Sequence, residues 1–327
     1  MKDRKLNWGL LSTAHINQAL IPVLKASGRN QLAAVGSRTV KSAKSYARQW
    51  GIARAHGSYE DLLADPEIDV IHVSLPNHLH AEWTVKALQA GKHVLCEKPL
   101  ALTLDEVDQM EQAAVRSGKV LAEAFMYRHH PQTLKVMDIM TSGSLGTLQL
   151  IKGAFTFNLT RAADIRLTKE TGGGSIWDVG CYPISYTRMV TGSEPVEVFG
   201  WQVLGEGGVD ESFLGQMRFP DGVWAEFDCG FRSPSRWYME IVGTKGALSI
   251  PSPFKPGLRE SITLTRDKAA ETIKIPGEEL YRGEVEDMAD AILSGKKPRV
   301  RVADSRGNVA AILGLREAAR SGRAVLL

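Results

Sequence analysis

The chain has 327 residues, of which 43% are hydrophobic, 7% aromatic and 24% charged. This length is typical of about two domains, and the composition excludes disordered, collagen-like and fibrous proteins. There are 40 Lys and Arg against 37 Asp and Glu, so the formal net charge is only +3. Such a small surplus does not favour a nucleic acid or a membrane surface as the partner.

The three cysteines, Cys96, Cys181 and Cys229, are far apart and form no C-x-x-C motif. This pattern predicts neither a disulfide framework nor a zinc site. The apolar run at the N-terminus is too short for a secretion signal, and no apolar stretch approaches the ~18 residues of a membrane span. We therefore expect a cytoplasmic protein with reduced thiols.

The first third of the chain alternates short apolar runs with segments of helical periodicity. This order indicates right-handed crossovers and a doubly wound parallel sheet with helices on both faces, the Rossmann arrangement. The predicted strands are 6–11, 31–37, a short one near Arg54, 69–75, 92–96 and 120–123, and the predicted helices are 16–26, 42–50, 59–64, 80–90 and 104–117.

The pattern changes near Phe125. After a predicted helix at 132–142, long period-two runs separated by turns such as Pro220-Asp221-Gly222 predict half-buried, hairpin-connected strands. Further helices are expected at 176–190, 285–293 and 306–320. The sequence thus predicts an α/β protein with a Rossmann domain at 1–124 and an α+β domain with a large, mostly antiparallel open sheet at 125–327. The predicted strands of that sheet are 148–159, 196–203, 211–218, 223–231, 237–242, 247–250, 261–265 and 272–275.

A loop of small residues follows the first predicted strand and leads into a helix. Ligands bind beyond the carboxyl ends of parallel strands, where a pyrophosphate can meet free N–H groups of a helix N-terminus. Ser12 and Ala14 stand where a dinucleotide-binding loop normally has glycine, which weakens the motif. The residues predicted here to contact a dinucleotide are Gly9, Ser12, Thr13, Ala14, His15 and Ile16.

The end of the second strand indicates which dinucleotide is bound. An NAD site usually places an acidic residue there, whereas this chain has Ser37-Arg38 and no acid. A hydroxyl and a guanidinium would hold a 2′-phosphate, so the segment favours NADP over NAD. The alternative is that Arg38 and Lys41 are solvent-exposed charges at a helix start.

Two more strand ends meet the same edge of the sheet. The cofactor contacts predicted there are Leu75, Pro76, Asn77, His80, Glu97 and Lys98. No metal site is predicted, because the histidines lack companion ligands at a suitable spacing.

Two motifs together resemble the Gfo/Idh/MocA family (glucose–fructose oxidoreductase, inositol dehydrogenase and rhizopine catabolism protein). The first is Glu97-Lys98-Pro99 after a Rossmann strand, and the second is Gly172-Gly173-Gly174-Ser175-Ile176-Trp177-Asp178-Val179-Gly180-Cys181-Tyr182. The resemblance covers essentially the whole chain. Many members have histidine where this chain has Tyr182; the tyrosine, with Trp8-Gly9, resembles a subgroup of D-xylose and dimeric dihydrodiol dehydrogenases that use NADP.

The resemblance implies hydride transfer between the nicotinamide of NADP, or of NAD, and a carbinol of a sugar or polyol, such as the aldoses D-xylose and D-glucose. Tyr182 would be the acid/base. A free tyrosine has a pKa of about 10, and the Lys98 ammonium would lower it. Asp178, four residues before Tyr182, would share a helix face with it and orient the substrate or Lys98. The alternatives are a core role for Tyr182, a helix cap at Asp178 and a surface position for Lys98.

The resemblance also implies a substrate pocket between the domains, a cis Lys98–Pro99 bond, and a homodimer or homotetramer formed through the C-terminal sheet. The candidate substrate contacts are Tyr127, Arg128, Phe157 and Asp164, and Arg166 is a candidate cofactor contact. Three other functions remain open: an NADPH-dependent reductase of keto-sugars or sugar nucleotides, a non-catalytic dinucleotide sensor, and a glycosidase with tightly bound NAD.

Overall fold

The computed structural model of the protein describes residues 4–161 and 163–327. The chain divides into two compact units. The first runs to His129 and adds Tyr281–Arg306; the second comprises His130–Leu280 and Gly307–Leu327. The predicted domains, 1–124 and 125–327, differ from these units mainly in the segment Tyr281–Arg306.

The described strands and helices follow the predicted order closely. The strands are β1 (Leu6–Leu11), β2 (Asn30–Gly36), β3 (Arg54–His56), β4 (Val70–Val73), β5 (His93–Glu97), β6 (Leu121–Ala124), β7 (Leu148–Asn158), β8 (Glu197–Leu204), β9 (Asp210–Arg218), β10 (Trp224–Gly230), β11 (Arg232–Gly243), β12 (Gly246–Ile250), β13 (Arg259–Arg266), β14 (Ala269–Pro276) and β15 (Val325–Leu326). The helices are α1 (Asn17–Ala26), α2 (Val40–Trp50), α3 (Tyr59–Ala64), α4 (His80–Gln89), α5 (Leu104–Ser117), α6 (Pro131–Thr141), α7 (Cys181–Thr191), α8 (Arg282–Ser294) and α9 (Val302–Ser321). The sequence did not predict β15, and β11 begins earlier than expected.

The first unit contains a six-stranded parallel sheet of order β3-β2-β1-β4-β5-β6. This order reverses at β1, which is the doubly wound arrangement predicted from the sequence. Side chains fix the helix starts: Thr39 and Ser58 accept backbone N–H groups at the starts of α2 and α3, and Thr103 forms a capping box with Glu106 at α5.

Helix α8 completes the core of the first unit although it comes late in the chain. Val285, Met288 and Ala289 are buried in one apolar cluster with residues of β1, α1 and β5. Arg29 donates from Nε to Glu286 at 2.7 Å and from Nη1 to Asp290 at 2.5 Å. This packing is why the segment belongs to the first unit rather than to the C-terminal domain.

The second unit contains a nine-stranded sheet of order β14-β13-β12-β11-β7-β10-β9-β8-β15. β7 and β10 pair in parallel, while the other described neighbours pair antiparallel. The mostly antiparallel sheet is therefore confirmed. Its inner face holds Phe155, opposite Trp237 and Cys229, and packs against α7. The outer face holds Asp228 and Tyr238, both opposite Ala154.

The predicted helix at 176–190 consists of two parts. A π-helix spans Ile176–Gly180, and α7 continues from Cys181. Gly180 packs so closely that a Cβ there would lie 2.9 Å from the Cys229 Sγ. π-Helical turns are rare and concentrate at functional sites. This turn carries Asp178, and Tyr182 lies just beyond it.

Candidate active site

The loop between β1 and α1 is tied to the end of β4 through Ser12. The Ser12 Oγ donates to the carbonyl oxygen of Ser74 at 2.9 Å and accepts the Ala14 N–H at 3.1 Å. Ser12 has φ = 133°, a conformation that normally favours glycine. Ser12 therefore adopts the backbone conformation of a glycine-rich loop, and its side chain is hydrogen-bonded to the end of the neighbouring strand.

The remaining loop residues, Thr13, Ala14, His15 and Ile16, lead into α1, whose N-terminus has no side-chain cap. The first three N–H groups of the helix donate to the carbonyl oxygens of Ala14, His15 and Ile16, so what this end offers an anion is the positive end of the helix dipole. Gly9, another predicted cofactor contact, lies inside β1, where a Cβ would lie 3.0 Å from the Leu62 side chain. Its small size allows α3 to pack on the sheet.

A surface pocket of about 400 Å³ adjoins the start of α2. Ser37 is buried and Arg38 is exposed just before it. The lining side chains are mostly hydroxyls with one ammonium, and none is a carboxylate. They are Thr13, Thr39, Lys41, Ser42, Ser45, Tyr46 and Gln49. This donor set fits a phosphate group, as the 2′-phosphate of NADP requires.

His80 joins the loops that follow β4 and β5. Its ring nitrogens each lie 2.8 Å from a carbonyl oxygen, that of Pro99 and that of Leu75. Burial lowers the pKa of His80, although both carbonyl contacts favour its protonated form. The ring is fully buried, so His80 holds the two loops together, and its contact with the cofactor stays a prediction. The Lys98–Pro99 bond is cis, as predicted.

A buried polar cluster lies beside Glu97, at the end of β5. The His72 Nε2 lies 3.4 Å from the Glu97 Oε1. Glu284 of α8 is 1% exposed; burial raises its pKa well above the ordinary value, and the negative charges of Glu97 and Asp287 raise it further. The sequence analysis did not predict His72 or Glu284 as site residues. His72 lies within an apolar strand, and Glu284 directly precedes the predicted helix 285–293.

The candidate substrate residues of the first unit are buried. Tyr127 is 0% exposed and packs edge-on against Phe125, with ring centroids 5.8 Å apart. Arg128 is 9% exposed, and its Nη1 lies 2.9 Å from the Asp304 Oδ2. These contacts anchor the short helix Met126–His129, and the substrate contacts of Tyr127 and Arg128 stay predictions.

Three predicted residues of the second unit form one charge network. The Arg166 Nε donates to the Asp178 Oδ2 at 2.8 Å, and its Nη1 donates to the Asp164 Oδ1 at 3.1 Å. Asp164 also accepts the Arg166 backbone N–H at 3.0 Å. The Asp178 carboxylate raises the pKa of Arg166. Arg166 was predicted to contact the cofactor, Asp164 the substrate, and Asp178 to take part in catalysis. In the structure these three side chains hold one another in position.

Asp210, at the start of β9, accepts hydrogen bonds from the first residues of the π-helix turn and holds them in place. One of its oxygens accepts the Ser175 hydroxyl at 2.6 Å and the Ile176 N–H at 2.8 Å. Gly174 has φ = 123° and passes so close that a Cβ would lie 2.5 Å from the Asp210 Oδ1. Burial raises the pKa of Asp210 to about 6. No pattern in the sequence predicts this contact, because Asp210 follows an ordinary Gly-rich turn.

Tyr182 stands among aromatic rings of the inner face. Its ring centroid is 5.3 Å from that of Phe155 and 5.6 Å from that of Phe254. Phe157 is half-buried and packs on Phe231 at 5.3 Å. The alternating run 148–159 predicted inward-facing aromatics, but not which of them would meet Tyr182.

Across the described residues, no group of three or more His, Cys, Asp or Glu side chains is arranged to hold a metal ion. The helices described there are all too short or too polar to cross a membrane.

Comparison with known proteins gives the family. Residues 6–125 match "Oxidoreductase family, NAD-binding Rossmann fold", and residues 133–249 match "GFO/IDH/MocA C-terminal domain". The chain belongs to the GFO/IDH/MocA oxidoreductase family. The family predicted from Glu97-Lys98-Pro99 and the glycine run is thereby confirmed.

Several family members are similar over nearly their whole length. D-xylose 1-dehydrogenase (NADP(+)) 2 of Haloferax volcanii is 36% identical over 325 residues, 98% of this chain and 99% of that one. A dTDP-3,4-didehydro-2,6-dideoxy-α-D-glucose 3-reductase of Actinomadura kijaniata is 31% identical and covers 92% of this chain and 91% of its own. The crystal structure of aldose-aldose oxidoreductase from Caulobacter crescentus superposes with a TM-score of 0.92 at 27% identity, covering 99% of this chain and 100% of that one.

Proposed function

We propose that this protein is an NADP-dependent oxidoreductase of a sugar or polyol, with an aldose as the first candidate. The observation that carries the proposal is the presence of Lys98, Asp178 and Tyr182 in their family motifs. It is supported by the 36% identity to an NADP(+)-dependent D-xylose 1-dehydrogenase.

In this proposal the chain's own residues handle the proton and the substrate hydroxyl. In oxidation the Tyr182 phenolate takes the proton of the carbinol hydroxyl, and in reduction the Tyr182 phenol donates a proton to the carbonyl oxygen. The Lys98 ammonium stabilises the phenolate and donates to the reacting oxygen. Asp178, held by Arg166 at 2.8 Å, orients the substrate hydroxyl. Bound NADP supplies or accepts the hydride.

The cofactor is assigned to the edge of the first unit. The pocket beside α2 and the exposed Arg38 are suited to the 2′-phosphate, and the positive end of the α1 dipole is suited to the pyrophosphate. The absence of an acid at Ser37-Arg38 favours NADP over NAD.

A reductase of keto-sugar nucleotides is the second candidate. It is favoured by the 31% identity to the dTDP-sugar 3-reductase. A 3-ketoreductase of the same organism, in complex with TDP-benzene and NADP, also superposes with a TM-score of 0.91 at 28% identity. The same three residues would serve this reaction, with Tyr182 donating the proton.

The test is to measure initial rates with NADP and with NAD against aldoses, inositols and trans-dihydrodiols, and NADPH oxidation with keto-sugars. We expect turnover of an aldose, and a loss of about 100-fold or more in kcat for Tyr182→Phe and for Lys98→Met. The matched controls Tyr238→Phe and Lys274→Met should keep the wild-type rate. NADPH binding, followed by fluorescence, should be unchanged in Tyr182→Phe and weaker in Lys98→Met, because Lys98 is also a predicted cofactor contact. Wild-type rates in both would refute the assignment.

We also propose that the outer face of the nine-stranded sheet joins two copies of the chain. Trp201 is 55% exposed there, Trp224 56% and Leu214 41%. Charges of both signs lie on the same face, including the pair of Lys152 with Glu226, so two copies related by a two-fold axis can be complementary. Sedimentation velocity should give a dimer or tetramer for the wild type and a smaller species for Trp224→Asp with Leu214→Asp. A wild-type monomer would refute the interface.

A further inference from the structure

The aromatic cluster around Tyr182 has one ring open to solvent. Phe155 is its centre: the Phe254 ring stacks on it at 5.2 Å with an interplanar angle of 9°, and the Trp237 ring meets it edge-on at 6.1 Å. Phe155 is 3% exposed and Tyr182 5%, whereas Trp237 is 36% exposed. Trp237 thus extends the cluster from the proposed acid/base to the surface.

The position of Trp237 on the sheet makes this exposure unusual. Trp237 pairs with Phe155 on the inner face, where Phe213, Phe227 and Met239 are at most 3% exposed. The exposed indole leaves an opening on this face that is separated from Tyr182 by the Phe155 ring. A partly exposed tryptophan offers a large apolar surface to a ligand.

The positively charged side chain of Lys255 lies at the same opening. The Lys255 Nζ lies 5.7 Å from the centroid of the Phe155 ring, within the range of a cation–π contact. Lys255 is exposed and lies in Pro251-Ser252-Pro253-Phe254-Lys255-Pro256-Gly257, whose three prolines restrict the backbone. The ammonium is therefore held near the ring that also contacts Tyr182.

We propose that Trp237 and Lys255 form a substrate subsite for a sugar that carries an anionic group, a phosphate or a carboxylate, away from the reacting carbon. The apolar C–H face of the sugar ring packs on the Trp237 indole, and the anion meets the Lys255 ammonium. An ammonium on a flexible stem binds an anion as a point charge, so it accepts either anion. The inference rests on the proposed function, because it takes Tyr182 as the reacting end.

The subsite predicts a specific ranking of ligands. D-glucose 6-phosphate and D-glucuronate should bind the NADPH-loaded protein more tightly than D-glucose, by about three- to tenfold, as expected for one exposed charge-assisted contact. Lys255→Met should remove this preference and leave D-glucose binding unchanged. Trp237→Leu should weaken all three sugars, and Trp237→Phe should restore part of the loss.

The experiment is isothermal titration of the NADPH-loaded protein with the three sugars, because the reduced cofactor cannot accept a hydride from them. Lys274→Met, an exposed lysine of β14, is the matched control and should bind as the wild type does; Lys255→Arg should keep the preference. The two anionic sugars separate phosphate from carboxylate, and a preference for either one supports the subsite. Equal binding of D-glucose and both anionic sugars by the wild type would overturn the proposal, as would an unchanged preference in Lys255→Met or no sugar binding.

This binding readout separates the subsite from the reaction. Charge-dependent binding without nicotinamide reduction would keep the subsite and reject the dehydrogenase. Turnover of neutral aldoses with no anion preference would keep the dehydrogenase and reject the subsite.

Discussion

The Arg166 guanidinium donates from Nε to the Asp178 Oδ2 at 2.8 Å, while its Nη1 reaches Asp164 at 3.1 Å. The arginine therefore links the segment before the glycine run to the π-helix. Since Asp178 stands in the motif that ends at Tyr182, the orientation of a proposed catalytic carboxylate depends on a residue outside that motif.

Arg166→Ala should lower kcat by about tenfold, because Asp178 loses the charge-assisted bond that orients it. Asp178→Asn should lower it too, and the double variant should lose less than the product of the two effects, because the residues act together. Arg232→Ala is the control, since Arg232 makes a similar bond to Glu211 at 2.7 Å on an exposed part of the same unit. Fully multiplicative losses would contradict the coupling.

Arg38→Ala and Lys41→Ala should each raise the KM for NADP by about tenfold and leave the KM for NAD nearly unchanged, because each removes one cation near the 2′-phosphate. Steady-state kinetics with both cofactors would measure this. Lys44→Ala, an exposed lysine of α2 outside the pocket lining, should change neither value. An equal increase of the KM for NADP and of the KM for NAD would show that Arg38 and Lys41 do not contact the 2′-phosphate.

Asp210 should make stability depend on pH. Burial raises its pKa to about 6, above the value of about 3.9 in an unfolded chain. The folded state therefore retains the proton to higher pH, so the stabilising contribution is full below about pH 4 and is lost as the pH rises through about 6. Asp210→Asn removes this titration. Between pH 5 and pH 8, the free energy of unfolding of the variant should rise by about 1 kcal/mol relative to the wild type.

Urea denaturation at the two pH values would measure that difference. Asp221→Asn, in an exposed turn, should have the same free energy of unfolding as the wild type at both pH values. If Asp210→Asn also tracks the wild type, Asp210 titrates equally in the folded and unfolded states.

His80→Ala should reduce the free energy of unfolding by about 2–4 kcal/mol, because it leaves a cavity and removes both carbonyl contacts. Burial lowers the pKa of His80, so its contribution is present above about pH 6.5 and is lost as the pH falls. The difference from wild type should shrink in acid. His78→Ala, two residues away and exposed, should stay within about 0.5 kcal/mol of wild type. If both substitutions changed the free energy of unfolding equally, His80 would not be the residue that links the two loops.

The sequence predicted the features that depend on local pattern. Apolar runs at 69–75 and 92–96 mark β4 and β5 because buried parallel strands are nearly continuous in apolar residues. Lys98 and Tyr182 were identified because each lies in a short motif. Asp210 and His72 could not be found in this way: the partner of Asp210 is Ser175, 35 residues earlier, and His72 occupies a core strand. Pairs formed only by tertiary folding leave no periodic signal.

The placement of α8 has a consequence for synthesis on the ribosome. The sheet of the first unit ends with β6 at Ala124, but its core also needs Val285, Met288 and Ala289. A nascent chain that has just left the exit tunnel with all six strands still exposes the apolar surface of α1 and β5 to solvent until more than 150 further residues have been made. At ~5–20 residues per second, this interval lasts many seconds. Chaperone binding to stalled nascent chains should therefore persist beyond β6 and end only after α8 emerges.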